Sequence, residues 1–185
     1  KGLAKVALSV TTLDPHLARI MEPRAATPGK RLETIRTLKA AGIPVSVLVA
    51  PIIPAINDPD IERILDAARA AGADDAGYVL LRLPLELTDL FREWLLEHYP
   101  DRLRHVMSLI RQTRGGKDYQ SEWGVRQSGT GPYAWLIGRR FELAATRLGF
   151  GKRRIKMRTD LFMPPGGRGR HLDRLVVRVR ERARL

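Results

Sequence analysis

Residues 5–50 read KVALSVTTLDPHLARIMEPRAATPGKRLETIRTLKAAGIPVSVLVA and contain the pattern that decides the fold. Two short runs rich in β-branched and apolar residues, 5–11 and 43–50, predict β-strands. Between them, Asp14–Pro15 and Thr27–Pro28 each predict a helix start, because the first residue can cap free amides and proline fits the first helical position. Nearly continuous apolar strands joined by helices are typical of parallel βα units.

The same pattern continues along the chain. The run GYVLLR at residues 77–82 predicts a third strand, and Asp58–Pro59 predicts the start of a helix that ends at Gly72. Helical periodicity predicts three more helices, at about residues 88–99, 102–113 and 132–148. Three βα units cannot close a barrel, and a first strand at residue 5 would have one unpaired edge. We therefore expect an α/β fold with further chain before the first strand, and a piece that is only marginally stable alone.

The composition excludes several classes of protein. The chain has 185 residues, of which 44% are hydrophobic, a value typical of a globular domain. It has no cysteine, which excludes a disulfide framework, a zinc ribbon and an iron–sulfur cluster held by thiolates of this chain. No apolar run reaches the ~18 to 20 residues of a membrane-spanning helix, and the first residues lack a signal-peptide pattern. We expect a cytoplasmic protein with no membrane partner and, because residue 1 is Lys, a fragment of a longer chain.

The net charge of +13 is concentrated near the C-terminus. Residues 139–185 carry 15 Lys and Arg against 4 Asp and Glu. Such a segment can attract the phosphates of nucleic acid, so one hypothesis is a non-catalytic module that binds nucleic acid through this segment. Only Phe162 offers an aromatic ring between the basic residues, so a solvated or disordered end remains equally open.

Polar side chains recur near the ends of the predicted strands. In a parallel sheet, ligands bind beyond the C-terminal ends of the strands, here at residues 12–14, 51–58 and 83–87. Alternation predicts which residues of the three strands share one face of the sheet. They are Ser9 and Thr11 of the first strand, Ser46, Leu48 and Ala50 of the second, and Tyr78, Leu80 and Arg82 of the third. The residues between them are apolar and should pack on helices. We therefore expect a polar cleft on one side of the sheet.

Arg82 is the strongest single candidate for a binding residue. A guanidinium at the end of an apolar strand needs an anionic partner, which is either a ligand or a structural partner such as Glu22 or Glu86. If the ligand carries phosphate, the chain could instead belong to an ordinary barrel enzyme in which Arg82 clamps that group. Ser9 could donate a hydrogen bond to a ligand or be a small residue in a tight interior.

Other segments give weaker indications. Asn57 in the proline-rich loop and Tyr133 after the GTGP turn join Arg82 as candidate substrate contacts. The glycines before Tyr133 favour a plain turn over an anion site. The four histidines have no metal-ligand spacing, so we expect no metal site, and no residue is assigned a catalytic role.

Four segments together resemble the DNA-repair-photolyase-like family of radical S-adenosylmethionine (SAM) proteins, relatives of spore photoproduct lyase. They are SVTTLDPHLARIMEPRAATPGKRLETIRTLKAAGIPVSVLVAPIIPAIND at 9–58, YVLLRLP at 78–84, RGGKDY at 114–119 and GTGPYA at 129–134. The resemblance covers about residues 1–163. It implies the second half of a partial (βα)6 TIM-like barrel at 1–114, a helical, family-specific C-terminal extension at 115–163 and a basic tail at 164–185.

The resemblance also implies a cofactor set and its contacts. Such proteins cleave SAM with a reduced 4Fe-4S cluster held by a three-cysteine loop after their first strand, and this chain does not contain that loop. The missing N-terminal half of the barrel is the implied partner. The implied SAM contacts are Ser9, Thr11, Arg24, Val49, Pro51 and Arg82, with Glu22 in the same MEPRAAT motif as Arg24. The helices after Pro84 would form a substrate-facing cap.

Overall fold

The computed structural model describes residues 3–151, 157, 158 and 160 and contains one small parallel sheet. Its strands are β1 (Val6–Ser9), β2 (Val45–Ile52) and β3 (Asp75–Leu80), in the order β1-β2-β3. The predicted α/β class and the three parallel strands are confirmed. The strand bounds shift by two residues at some ends: β2 runs through Pro51 to Ile52, where the sequence predicted a loop.

Six α-helices follow the predicted order in the part of the chain that the structure describes. They are α1 (Pro15–Met21), α2 (Pro28–Ala40), α3 (Ile61–Ala70), α4 (Leu87–His98), α5 (Leu103–Gln112) and α6 (Gly131–Arg147). Two of the three predicted helix starts carry a cap: the Asp14 carboxylate accepts from the amide of His16, and the Thr27 hydroxyl accepts from the amide of Lys30. The third prediction, a helix start at Asp58–Pro59, is wrong in its bounds, because α3 begins at Ile61 without a side-chain cap. A 3₁₀ turn at Asp58–Asp60 precedes α3. None of these helices is long and apolar enough to cross a membrane.

One face of the sheet, called here the helix face, is buried beneath α2, α3 and α6. Val45, Val47 and Val49 of β2 lie on it and are almost fully buried. They share one apolar cluster with Ile64 and Leu65 of α3. The cluster also includes the buried residues Ala134, Ile137, Phe141 and Ala144 of α6. The extension predicted from residue 115 therefore contains a helix of the central core.

The predicted phase of β3 is wrong. Val49, on the helix face, pairs in register with Tyr78, and paired residues of a parallel sheet point the same way. The Tyr78 ring accordingly packs against Phe141 of α6, with ring centroids 4.8 Å apart. The opposite face of the sheet, called here the inner face, carries Ser9, Leu48 and Gly77 at one level of the register. Sequence alternation misassigned β3 because both of its faces carry apolar residues.

Helices α4 and α5 pack at the C-terminal ends of the strands instead of on the sheet. Their buried residues Leu95, Val106 and Met107 form a second apolar cluster with Ile53 and Leu83, which follow β2 and β3. The indole nitrogen of Trp94 donates a hydrogen bond of 3.0 Å to the carbonyl of Ile20 in α1. This pair of helices, called here the cap, is inserted between β3 and α6, the helix that covers β3.

Among the described residues, the sheet has no strand beyond β1 or beyond β3. Three strands do not close a barrel, and the partial (βα)6 barrel remains a prediction. Residues 152–156 and 161–185, which include most of the basic segment and the predicted tail, lie outside the described residues.

Gly129 should tolerate no side chain. Its φ is +76°, and a Cβ there would lie 2.8 Å from Leu80 Cδ1 and 2.9 Å from the carbonyl oxygen of Thr113. We expect Gly129→Ala to lower the free energy of unfolding by about 1–3 kcal/mol, measured by urea titration. Gly29→Ala is the matched control: it lies in the first turn of α2 with open space around it, so it should raise stability by up to ~1 kcal/mol. Equal losses in the two variants would contradict the packing described for residue 129.

Candidate functional site

The half-buried guanidinium of Arg31 joins β1 to the loop between α1 and α2. Arg31 Nη1 donates to the carbonyl of Ser9 at 2.9 Å and to its hydroxyl at 3.1 Å. Its Nη2 donates to Glu22 Oε2 at 3.0 Å, and its Nε to the carbonyl of Ala26 at 2.9 Å. The Glu22 carboxylate therefore pairs with Arg31, and the alternative of an ion pair with Arg82 is wrong. The Ser9 side chain is fixed at the inner face by this contact.

Thr11 lies just beyond β1 and is buried. Its hydroxyl is 3.1 Å from both Glu22 Oε2 and the carbonyl oxygen of Ala50, so it links the same carboxylate to β2. Ser9 and Thr11 thus lie together, as predicted, on the side of the sheet that carries Leu48 and Ala50. The structure assigns both hydroxyls protein partners, and their predicted contacts with SAM stay predictions.

Asn57 braces the C-terminal ends of β1 and β2. Its amide group donates to the carbonyls of Thr11 at 2.8 Å and Pro51 at 2.9 Å, and its Oδ1 accepts from the amide of Ile53 at 2.6 Å. The side chain is buried and both amide hydrogens are used. Its position supports an architectural role, and the predicted contact with substrate is untested.

The other predicted SAM contacts differ in what they can offer. Arg24 is exposed in the loop after α1 and has no ion-pair partner within the described ranges. Val49 has its side chain buried on the helix face, so only its main chain could border a ligand. Pro51 is half-buried at the end of β2 and offers apolar surface.

Arg82 lies in a cluster of positive charge after β3. Its Nη2 donates to the Tyr119 hydroxyl at 3.2 Å, while its buried Nε has no hydrogen-bond partner among the residues described. Nearby, Arg114 is 1% exposed and donates to the carbonyls of Leu80 and Leu81 at 3.1 and 2.7 Å. Burial and then the charge of Arg82 lower the pKa of Arg114 below its ordinary value. Within the part of the chain that the structure describes, no carboxylate is hydrogen-bonded to either guanidinium, which favours binding of an anion.

Tyr133 docks α6 onto the turn before α3. Its hydroxyl donates to Asp58 Oδ2 at 2.8 Å, and burial followed by this hydrogen bond and the carboxylate charge raises the pKa of Tyr133 to about 12. Arg140 continues the contact through two hydrogen bonds to Glu62, at 2.9 and 2.7 Å. Tyr133 is therefore committed to a structural contact, and its predicted role in substrate binding has no support from these neighbours.

Sequence reasoning missed two central residues, Arg31 and Arg114, although both carry a signal. Arg31 stands in the first turn of α2, where a positive charge opposes the helix dipole and so requires a carboxylate nearby. Arg114 follows an amphipathic helix and precedes two glycines, a pattern that by itself predicts an exposed side chain. The described residues contain no group of His, Asp and Glu that could hold a metal ion.

One comparison with known proteins matches part of the chain to a described superfamily. Residues 1–68, which span β1, β2 and most of α3, match the radical SAM superfamily. Two uncharacterized proteins, from Mycobacterium tuberculosis and Mycobacterium bovis, are each 32% identical over 109 residues, which is 58% of this chain and 32% of the relative. An uncharacterized protein of Acidianus two-tailed virus is 39% identical over 72 residues, which is 36% of this chain and 24% of the relative. The chain spans about a third of the length of the mycobacterial relatives, and no solved structure matches it.

Removing the Arg31 side chain should loosen the Ser9 end of β1. We expect Arg31→Met to lower the free energy of unfolding by about 2 kcal/mol, because it leaves the Ser9 carbonyl and Glu22 without their charged donor. The measurement is urea unfolding, with Arg36→Met, at an exposed position of the same helix, as the control with little effect. The double variant Arg31→Met/Glu22→Gln should lose less free energy of unfolding than the two single variants added together. A loss equal to that sum would contradict the interaction described between Arg31 and Glu22.

The Arg140–Glu62 pair should make stability depend on pH in acid. Hydrogen bonds from Arg140 lower the pKa of Glu62, so the pair contributes stability above the unfolded-state pKa and loses it as pH falls through the folded-state value. We expect Glu62→Gln to destabilise the protein at pH 7 by about 1 kcal/mol after solvent screening, and by less at pH 3. Glu142→Gln, in an exposed pair with Arg139, is the control. A loss for Glu62→Gln that is constant with pH would contradict this assignment.

Proposed function

We propose that this chain forms part of the SAM-binding wall of a radical SAM enzyme. The match of residues 1–68 to that superfamily supports a portion of such an enzyme. The parallel strands, the inner face that carries Ser9 and the exposed Arg24 support the finer proposal that this portion contacts SAM. The resemblance to relatives of spore photoproduct lyase, based on the YVLLRLP, RGGKDY and GTGPYA segments, remains part of the proposal.

The observation that carries the proposal is the unequal covering of the two faces of the sheet. On the helix face, Val45, Val47 and Val49 are almost fully buried. On the inner face, Ala7 is exposed, and Ser9, Leu48, Ala50 and Gly77 are half-buried. Ser46 on the same face is buried, and its hydroxyl has no hydrogen-bond partner among the described residues. Small residues predominate there, and Gly77 offers no side chain at all. A face of this kind leaves room for a flat nucleoside against the strands.

The residues present fit SAM. Arg24 could form a paired hydrogen bond to the methionyl carboxylate, because it is exposed and has no described ion-pair partner. The Ser9 hydroxyl could bind a ribose hydroxyl while Arg31 holds it in place. Arg82 would add positive charge at the end of β3, where an anionic group of the substrate could bind. In this superfamily, SAM and a reduced 4Fe-4S cluster supply a 5′-deoxyadenosyl radical that removes a hydrogen atom from the substrate.

The cluster itself does not fit this chain. The sequence has no cysteine, so none of the thiolate ligands of a 4Fe-4S cluster can come from it. The relatives are about three times as long as the region they share with this chain, which leaves space for a cysteine loop in the remaining part. We propose that the cluster is held by that part of the protein and that the N-terminal half of the barrel pairs with the free edge of β1.

Binding of SAM to the longer protein tests the role of Arg24. We expect Arg24→Met to weaken SAM binding about 10- to 100-fold, the effect of losing a hydrogen bond between charged groups. Equilibrium dialysis measures the Kd, and Arg36→Met, which removes an exposed arginine from α2, should leave it unchanged.

The enzymatic part of the proposal has its own test. The coding sequence of the longer protein should contain a CxxxCxxC motif before Lys1. After anaerobic reconstitution with iron and sulfide, the protein should release 5′-deoxyadenosine from SAM when it is reduced. A longer protein without that motif, or without any cleavage product, would overturn the proposed function.

A further inference from the structure

The guanidinium of Arg82 has donors that no described residue uses. Its Nη2 donates to the Tyr119 hydroxyl at 3.2 Å, and within the described ranges this is its one hydrogen bond. Its Nη1 and its buried Nε therefore have no acceptor there. A half-buried guanidinium normally has a carboxylate or another anion at its remaining donors. The unused donors of Arg82 therefore have the character of an anion site.

Arg114 adds a second positive charge that no described carboxylate neutralises. Its side chain is 1% exposed, and its Nη atoms donate to main-chain carbonyls, including those of Leu80 and Arg126. Its buried Nε has no partner among the residues described. It lies close enough to Arg82 for the two charges to interact, since the charge of Arg82 contributes to the lowered pKa of Arg114. Arg82 and Arg114, called here the arginine pair, thus form a local excess of positive charge.

The carboxylate next to Tyr119 in the sequence is paired with other arginines. Asp118 Oδ2 accepts from Arg92 of α4 at 2.8 Å, and its Oδ1 accepts from Arg111 of α5 at 2.9 Å. These two contacts fasten the loop after α5 to both helices of the cap. They hold the neighbouring Tyr119 beside Arg82. Asp118 therefore positions the phenol, and it forms no ion pair with the arginine pair.

The arginine pair lies at the edge of the sheet where parallel folds bind their ligands. Arg82 follows the last residue of β3, Leu80, by two positions, and Arg114 donates to the carbonyls of Leu80 and Leu81. In open parallel sheets, ligands bind beyond the C-terminal ends of the strands. The same edge carries Ser9, the last residue of β1. An anion at the arginine pair would therefore lie on the ligand-binding edge of the sheet.

We infer that Arg82 and Tyr119 bind a phosphate monoester group of the substrate and that Arg114 strengthens this binding through its charge. Arg82 supplies both hydrogens of Nη1 and one of Nη2, and the Tyr119 hydroxyl can donate its own proton while it accepts from Arg82. The inference rests on the proposed function only in assigning the group to a substrate, because the site itself requires neither SAM nor the iron–sulfur cluster.

Charge matching favours a monoester over other anions. A phosphate monoester carries a charge of about −1.5 to −2 at pH 7, which is close to the two positive charges of the arginine pair. A phosphate diester or a carboxylate carries one negative charge and would leave one of the two guanidiniums without compensation. The structure thus points to a small phosphorylated compound as the class of substrate.

Binding of methyl phosphate to the full-length protein tests this inference. We expect Arg82→Met to raise the Kd, measured by isothermal titration calorimetry, about 10- to 100-fold, because it removes charged donors. Tyr119→Phe removes only a hydroxyl and should raise the Kd about 3- to 10-fold. Arg104→Met, at an exposed position of α5, is the control and should leave the Kd unchanged. Urea unfolding of each variant separates a loss of binding from a loss of fold.

A matched ligand tests the charge of the bound group. Dimethyl phosphate differs from methyl phosphate by one methyl group and carries one negative charge less. We expect dimethyl phosphate and acetate to bind at least about tenfold more weakly than methyl phosphate. This preference should become smaller in Arg82→Met, because that variant has lost one of the two positive charges.

Three results would overturn the inference. The first is a Kd for methyl phosphate that Arg82→Met does not change. The second is equal binding of methyl phosphate and dimethyl phosphate, which would assign the arginine pair to a singly charged group such as a phosphodiester of nucleic acid. The third is displacement of methyl phosphate by SAM with an equal loss of both ligands in Arg82→Met, which would assign Arg82 to the SAM carboxylate. By contrast, a normal affinity of Arg24→Met for SAM would contradict the proposed function and leave this site in place.

Discussion

The Arg31 guanidinium is the interaction on which the candidate site depends. It joins the last residue of β1 to the carboxylate of Glu22 and to the loop that begins α2. A charge with 13% of its side chain exposed is stable only with such partners, and these partners belong to segments that local propensity cannot bring together. The pair therefore fixes the entry of α2 and the orientation of Ser9 at once. The same hydrogen bonds of Arg31 therefore contribute to the stability of the fold and hold the Ser9 side chain at the inner face.

A second constraint is the difference between the two faces of the sheet. The helix face is sealed by α2, α3 and α6, while the inner face has small residues and partial exposure. A parallel sheet with such unequal cover on its two sides is uncommon, because βα connections normally lead to cover on both sides or to a closed barrel. The described residues thus form a sheet that helices cover mainly on one face, and the chain spans about a third of the length of its mycobacterial relatives.

The sequence was a good guide to the elements and a poorer guide to their contacts. Helix starts at Asp14–Pro15 and Thr27–Pro28 were predictable because a cap and a proline act within three residues. The direction in which the side chains of β3 point was not predictable. Tyr78 faces the helices because it packs against Phe141, a residue more than sixty positions away. The surroundings of Arg82 were not predictable either, because its neighbours Arg114 and Tyr119 follow α5 in sequence and lie more than thirty positions from it. Alternation of polar and apolar residues shows which side of a strand is buried only where the other side is polar, and β3 has apolar residues on both sides.

The insertion of the cap has a consequence for the order in which the chain acquires structure during synthesis. β3 ends at Leu80, yet α6, the helix that covers it, begins only at Gly131. Because translation proceeds from the N-terminus, the Tyr78 side of the strand leaves the ribosome well before its cover exists. Closing so long a loop also slows folding, because the chain loses conformational entropy before the contacts that compensate for this loss have formed. The nascent chain therefore passes through a period in which an apolar strand is accessible to chaperones.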